Sequence, residues 1–175
     1  LPANIQAWSD APIYARTNGY LRRRLVDIGS RVKRGQLLAE IDTPEVTQQI
    51  AQAEAQLATA QAADRLAQST AARWSSMLAT DSVSKQDVDE KLADAAARHA
   101  DLAAAQANLN RLRQLGEFQR IVAPFDGVIT ARNTDVGALV TAGSGPSAGA
   151  ELFHIQDVSH LRVYVNTPQA FTPFI

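Results

Sequence analysis

The stretch Ala15-Arg16-Thr17-Asn18-Gly19-Tyr20-Leu21 decides the fold, because its pattern returns later in the chain as Ala123-Pro124-Phe125-Asp126-Gly127-Val128-Ile129. In both copies an Ala is followed by a Gly four positions on, and the Gly by Leu or Ile after one intervening residue. Such a split repeat predicts two related half-domains, with whatever lies between them pushed outward. Two further elements recur, Gly29-x-x-Val32 with Leu38-x-x-Ile41 in the first copy and Gly137-x-x-Val140 with Leu152-x-x-Ile155 in the second.

Each copy has the composition of short β-strands joined by tight turns. Apolar and β-branched runs are broken by Asn18-Gly19 in the first copy and by Asp126-Gly127 in the second. Because an isolated hairpin is only marginally stable in water, we expect the two halves to bury their apolar faces against each other. The second copy is longer, and its extra Gly-Ser-Gly-Pro-Ser at 143–147 is predicted to be a mobile surface loop.

The segment between the copies has the composition of a long helical hairpin. Residues 45–115 contain neither Gly nor Pro and are rich in Ala, which favours helix. Apolar and Ala residues recur at alternating steps of four and three, the pattern of a coiled-coil seam. We therefore predict an antiparallel hairpin over residues 44–116, with its tip near Thr80 to Val83 and arms roughly 50 Å long.

The predicted seam is regular in the first arm and less regular in the second. Asp64 is the one charged seam position of the first arm, where it either fixes the register or marks a drift of the seam. The first arm offers Val46, Ile50, Ala53, Leu57, Ala60, Asp64, Ala67, Ala71, Trp74 and Leu78. The second offers Val88, Leu92, Ala95, His99, Leu102, Gln106, Leu109 and Arg113, or Ala105 and Leu112 in place of Gln106 and Arg113 if the register slips by one residue.

Helix start and stop signals mark both arms. Thr43-Pro44-Glu45 offers an N-cap, a proline at the first helical position and an acid in the first turn. Ser84 with Asp87 offers a second cap, and Val83 with Val88 a hydrophobic staple. Gly116 is predicted to stop the second arm.

Composition and motifs exclude several classes of function. The net charge of −1 gives no whole-chain attraction to nucleic acid, so we expect no nucleic-acid partner. The sequence has no cysteine, and His99, His154 and His160 have no metal-ligand spacing among themselves. No phosphate-binding glycine loop and no nucleophile motif occurs. We therefore expect no catalytic residue, no cofactor and no bound metal.

Two longer stretches carry a resemblance to a known family. The first is Val32-Lys33-Arg34-Gly35-Gln36-Leu37-Leu38-Ala39-Glu40-Ile41-Asp42-Thr43-Pro44-Glu45, and the second is Ile121-Val122-Ala123-Pro124-Phe125-Asp126-Gly127-Val128-Ile129. They resemble the periplasmic adaptor (membrane fusion protein) family of tripartite efflux pumps of the RND type. The resemblance implies an α+β fold, namely a lipoyl/biotinyl-like β-sandwich split by an inserted antiparallel α-helical coiled-coil hairpin, with fragments of an adjoining β-barrel domain.

The resemblance also implies a domain organisation. Residues 1–11 would supply the first strand segment of the β-barrel domain, and residues 158–175 its truncated continuation. The lipoyl-like half-motifs would occupy residues 12–43 and 117–157, and the helical hairpin residues 44–116.

The tip of the hairpin adds a finer match. Arg73 and Ser84, eleven positions apart, resemble the Arg…Leu…Ser tip motif of adaptors that meet TolC-type outer-membrane channels. Met77 stands where that motif has Leu, and Leu78 follows it directly. Arg73, Met77, Leu78 and Ser84 are therefore the expected channel-binding residues. Without the family, Arg73 reads as a solvated helix residue, Met77 as a seam-edge filler and Ser84 as an N-cap.

The function implied by the resemblance is that of a periplasmic adaptor subunit associated with the inner membrane. It would bridge an inner-membrane RND-type transporter to a TolC-type channel, as a hexamer in the assembled pump and without catalysis. One alternative is an adaptor of a type I secretion, ABC-type or major-facilitator exporter. A lipoyl or biotin carrier module of an enzyme is the alternative of another class, and it would need a modifiable lysine where Asp42-Thr43-Pro44 stands.

Replacing Ala60 with proline tests the predicted first arm. The substitution removes one helical hydrogen bond and should destabilise the hairpin by about 3 kcal/mol or more. Thermal unfolding followed by circular dichroism measures the loss, with Ala60→Ser as the matched control. An unchanged melting temperature for Ala60→Pro would contradict the assignment of this segment to a helix.

Overall fold

A computed structural model describes residues 3–79, 82–143 and 150–165. Except for Gly143, the loop predicted at 143–147 lies outside the described residues. In chain order the elements are β1 (Ala3–Ala7), β2 (Asp10–Ile13), β3 (Gly19–Arg24), β4 (Arg31–Val32), β5 (Leu37–Asp42), α1 (Pro44–Leu78), α2 (Lys85–Glu117), β6 (Arg120–Val122), β7 (Gly127–Arg132), β8 (Leu139–Val140), β9 (Phe153–Gln156) and β10 (Leu161–Val165).

The two halves of the repeat exchange strands. One four-stranded sheet has the order β2-β9-β7-β4 and the other the order β6-β5-β3-β8. Each sheet therefore takes its two central strands from one half and its two edge strands from the other. The sheets are antiparallel throughout. Neither half can complete a sheet alone.

Hydrogen bonds between the halves are reciprocal. The Gly29 amide donates to the Ile129 carbonyl at 2.8 Å, and the Gly137 amide donates to the Leu21 carbonyl at the same distance. These pairs occupy equivalent positions of the repeat. Gly29 has a φ of 84° and Gly137 a φ of 87°, in the left-handed region that favours glycine. The repeat seen in the sequence is thus an approximate two-fold symmetry of the backbone.

The core of the sandwich lies between the two sheets and draws on both halves. Phe153, Leu38, Ile129 and Ile155 are fully buried, and Leu21 is 1% exposed. Because apolar burial is the main stabilising term of folding, the two halves must fold together. The predicted fold class, a β-sandwich split by a helical hairpin, is confirmed.

A separate two-stranded antiparallel sheet pairs β1 with β10, with Ala3 opposite Val165 and Ala7 opposite Leu161. The side chains of Ile5 and Val163 on this ribbon are more than half exposed. The assignment of residues 1–11 and 158–175 to a β-barrel domain stays a prediction. Strand β2 begins at Asp10, before the boundary expected at residue 12.

The chain forms two compact units, Leu1–Thr43 with Phe118–Ile175, and Pro44–Glu117. In the second unit α1 and α2 run antiparallel, because Glu54 contacts Arg113 near one end while Trp74 lies beside Lys91 near the other. None of the described helices is long and apolar enough to cross a membrane.

The predicted seam of the first arm is confirmed, since all ten of its positions are buried or half-buried. In the second arm Val88, Leu109 and Leu112 are buried. The seam therefore slips by one residue near its end, and Leu112 replaces Arg113, which pairs with Glu54 at 2.8 Å instead of burying its charge.

Two other positions of the second-arm seam were predicted wrongly. Leu92 is 48% exposed, and the side chain of His99 is 69% exposed. A straight α-helix drifts relative to a strict heptad, so a seven-residue pattern loses the seam over several turns. Lys91 is half-buried in place of Leu92, with its Nζ 5.8 Å from the Trp74 ring centre.

The prediction that Gly116 stops the second arm is wrong, because α2 continues to Glu117. A Cβ at Gly116 would lie 3.1 Å from Ile50 Cδ1. The glycine therefore permits the close approach of α2 to α1 rather than a left-handed cap. At the other end of the hairpin, α1 begins at Pro44 with Glu45 in its first turn, as predicted.

An alanine at Gly127 tests the packing of the halves. Its Cβ would lie 2.5 Å from the Gln156 carbonyl oxygen. This oxygen belongs to the backbone of β9 and cannot shift without disturbing the pairing of β7 with β9. Overpacking of this kind should destabilise the chain by about 1–3 kcal/mol. Gly19→Ala, the equivalent change in the first half, should behave alike, since its Cβ would lie 2.7 Å from Ile41 Cγ2.

Chemical denaturation measures both losses. Thr130→Ser, at an exposed position on the same strand as Gly127, keeps the hydroxyl that donates to the His154 carbonyl; it is the control and should change stability by less than about 0.5 kcal/mol. A Gly127→Ala chain as stable as the control would show that β7 and β9 do not pack as described.

Candidate functional site

The end of the hairpin is bounded by Leu78, the last residue of α1, and Lys85, the first residue of α2. All four predicted tip residues are described, whereas residues 80 and 81 between them are not. The Ser82 amide donates to the Met77 carbonyl at 3.2 Å, so the chain begins its reversal directly after α1.

Ser84 caps α2. Its Oγ accepts a hydrogen bond from the Asp87 amide at 3.1 Å and donates one to Asp87 Oδ2 at 2.7 Å. The cap satisfies an amide that the first helical turn leaves unpaired. Val88 is 3% exposed and Val83 is half-buried, at the positions that a hydrophobic staple requires. The start of α2 is therefore held in one geometry by local contacts.

Arg73 and Met77 lie on one outward face of α1. They are one helical turn apart, and Met77 is 39% exposed. Among the described residues, no ion pair or side-chain hydrogen bond engages the Arg73 guanidinium, which is exposed. An unengaged guanidinium offers five donors for a carboxylate or for backbone carbonyls.

The remaining predicted residue, Leu78, is placed differently. It is half-buried in the seam together with Trp74, one turn earlier. The structure thus brings Arg73 and Met77 onto one face and turns Leu78 toward α2. Of the four residues, Leu78 has the least surface to offer a partner.

Sequence reasoning missed a second stripe beside the seam. Leu66, Thr70, Arg73 and Met77 repeat at steps of four, three and four, one residue before the seam positions. Leu66 is 66% exposed. It borders a groove of about 360 Å³ lined by Ala63, Leu66, Ala67, Thr70, Lys91, Asp94 and Arg98. The signal was present in the sequence, since Leu66 is an apolar residue outside the heptad.

Asp64 is buried in the seam, with a side chain only 8% exposed. Gln68 Nε2 donates to its two oxygens at 3.0 and 2.9 Å, and His99 Nδ1 lies 3.4 Å from Oδ1. Because the contact with His99 crosses from α1 to α2, it favours the interpretation in which Asp64 fixes the register.

The family model described as RND MFP, barrel-sandwich hybrid domain, matches residues 9–148, and the chain belongs to this family of membrane fusion proteins. The match includes the first half of the sandwich, the hairpin and strands β6 to β8 of the second half, and it ends before β9. It confirms the resemblance inferred from the sequence and favours the RND class over the other exporter adaptors.

A curated relative supports the same family assignment. The multidrug efflux pump subunit AcrA of Escherichia coli K12 is 30% identical over 175 residues, which are 100% of this chain and 43% of AcrA. The chain therefore spans less than half the length of that relative.

Solved structures share the fold. The membrane fusion protein Spr0693 of Streptococcus pneumoniae R6 superposes with a TM-score of 0.69 at 21% identity, over 93% of this chain and 65% of its own. A MacA–MexA chimera that contains the Pseudomonas aeruginosa MexA α-hairpin domain gives a TM-score of 0.51 at 26% identity, over 92% of this chain and 52% of its own.

Replacing Ser84 tests the cap. Ser84→Ala removes the side-chain oxygen that accepts from the Asp87 amide and should destabilise the hairpin by about 1 kcal/mol. Ser84→Thr keeps the hydroxyl and should lose much less. Urea unfolding followed by far-ultraviolet circular dichroism compares the two variants. Equal stability of Ser84→Ala and wild type would show that the hydroxyl does not cap α2.

Proposed function

We propose that the chain is the sandwich-and-hairpin part of a periplasmic adaptor subunit of a Gram-negative tripartite efflux pump. The observation that carries the proposal is the family match over residues 9–148, which covers the first half of the sandwich, the inserted hairpin and strands β6 to β8 of the second half. The name of AcrA, a multidrug efflux pump subunit, supports the same role.

In this proposal the adaptor works mechanically. It joins an inner-membrane RND-type transporter to a TolC-type outer-membrane channel, as a hexamer in the assembled pump, and resides in the periplasm in association with the inner membrane. No bond is made or broken, so the proposal assigns no catalytic residue and no cofactor. A carrier module would need a lysine between the halves, where Asp42, Thr43 and Pro44 stand.

The hairpin tip is the proposed contact with the channel. The exposed Arg73 guanidinium would donate to channel carboxylates or carbonyls, and Met77 would add a flexible apolar contact on the same face. Ser84 would present its backbone and hydroxyl at the apex while capping α2. Leu78 would act mainly from the seam, because it is half-buried there.

Two features of the hairpin support this role. The Ser84 cap fixes the first turn of α2, and the continuous α1 seam holds the helix that carries Arg73. A partner surface on ordered helices loses little conformational entropy on binding. The tip residues would therefore meet the channel already in place.

Charge reversal at Arg73 tests the tip. Arg73→Glu should abolish drug resistance in cells that depend on the full-length adaptor, because an acid cannot donate to channel acceptors and repels channel acids. The measurement is complementation of an adaptor-deletion strain, with circular dichroism to verify the fold.

The matched control is Arg65→Glu, an exposed arginine of the same helix about 12 Å farther from the tip along its axis. The control should restore resistance fully. If a folded Arg73→Glu adaptor also restores full resistance, Arg73 does not contact the channel.

A further inference from the structure

His154 lies between two carboxylates on the outer side of the sandwich. Its Nδ1 is 2.6 Å from Glu151 Oε1, and its Nε2 is hydrogen-bonded to Asp10 Oδ1. The side chains of His154 and Glu151 are 26% and 24% exposed, and that of Asp10 is 50% exposed. The cluster was not predictable from the sequence, because Asp10 and His154 lie near opposite ends of the described chain.

The chemistry of the contact requires a charged imidazole. A neutral imidazole carries one N–H and can donate to only one of two carboxylates, whereas an imidazolium donates to both. Partial burial of His154 opposes the charge, but the hydrogen bonds and charges of Glu151 and Asp10 outweigh it and raise the pKa of His154 above its ordinary value.

Few other charges face His154. On β7 the residue opposite it is Ala131, and the neighbouring Thr130 donates only to the His154 carbonyl, at 3.4 Å. From β2 the facing acid is Asp10, and from the segment before β9 it is Glu151. The protonation of His154 therefore depends chiefly on these two carboxylates.

The cluster sits where the ribbon of β1 and β10 leaves the sandwich. Asp10 is the first residue of β2 and lies opposite Gln156 of β9. Just beyond it, the Asp157 amide donates to the Ser9 carbonyl at 2.8 Å and the Trp8 amide to the His160 carbonyl at 3.0 Å. These backbone bonds add to the pairing of β2 with β9, to the side-chain bonds of Asp10 with His154 and Gln156, and to the Arg162 guanidinium 4.2 Å from the Trp8 ring centre.

We propose that protonated His154 is a pH-dependent latch that holds the start of β2 on β9 and so fixes the base of the β1–β10 ribbon. When His154 loses its proton, it can donate to only one of the two carboxylates, and in either tautomer the attraction between its positive charge and Asp10 is lost. The ribbon then opens more often at residues 8–10 and 156–160. The proposal does not depend on the assignment of the hairpin tip.

The direction of the pH dependence follows from linkage. A histidine whose pKa is raised by folding contributes stability that is fully present below its unfolded pKa of about 6.5 and is lost as pH rises through the folded pKa. The latch is therefore closed in mildly acidic solution and opens toward alkaline pH.

Two measurements on the full chain test the latch. Nuclear magnetic resonance of the His154 ring should give a titration midpoint above about 6.5, which Asp10→Asn should lower. Amide exchange of Trp8 and Asp157, corrected for intrinsic rates, should accelerate between pH 5.5 and 8.5, by about tenfold for each unit by which the folded pKa exceeds the unfolded one.

Variants separate the latch from general stability. His154→Gln cannot be charged and should exchange rapidly at both pH values, with no pH dependence at Trp8 and Asp157. His160→Gln, a nearby histidine hydrogen-bonded to Ser159 rather than to a carboxylate, is the control and should behave as wild type. If His154→Gln does not fold, Asp10→Asn serves in its place and should weaken the pH dependence.

Two results would overturn the proposal. One is a wild-type chain whose corrected exchange at Trp8 and Asp157 is the same at both pH values. The other is a pH dependence that persists in full in the folded His154→Gln or Asp10→Asn chain, since the proton responsible would then lie elsewhere.

Discussion

The reciprocal bonding of the two repeat copies is the constraint on which the rest of the structure depends. Each copy supplies the edge strands of the other's sheet, and the buried core draws residues from both. Because neither copy has a complete sheet or a closed core alone, the link between them can be long without loosening either. The hairpin enters between β5 and β6, which are adjacent antiparallel strands. At this base the Ile41 amide donates to the Gln119 carbonyl at 2.8 Å, and the Gln119 side chain donates to the Thr43 hydroxyl.

Local chemistry made much of this architecture predictable. The positive φ angles at Gly29 and Gly137 follow from turn chemistry that repeats in the sequence. Helix starts at Pro44 and after Ser84 follow from capping residues. The exchange of strands was not predictable in the same way, because alternation of apolar residues identifies a strand but not its partner.

The errors and omissions lie where position depends on distant parts of the chain. Leu92 and His99 were placed in the seam by a strict heptad, which a straight helix does not keep. Gly116 looked like a stop because its contact with Ile50 is invisible in the sequence. At the tip, the cap at Ser84 was predictable from the residues next to it. The outward stripe that includes Leu66 was not predicted, because its residues lie outside the heptad that defines the seam.

The exchange of strands also shapes how the chain reaches its structure. Pairing β2 with β9 joins segments near opposite ends of the sequence, and such non-local contacts form slowly because chain entropy is lost before they stabilise anything. The contacts of α1 with α2 close only a short turn, so little chain entropy is lost before they form. With Ile50 against Gly116, a formed hairpin brings its own two ends together. We expect the insert to fold first. The formed hairpin then holds its two ends together, shortens the effective loop between the halves, and speeds the non-local pairing of their strands.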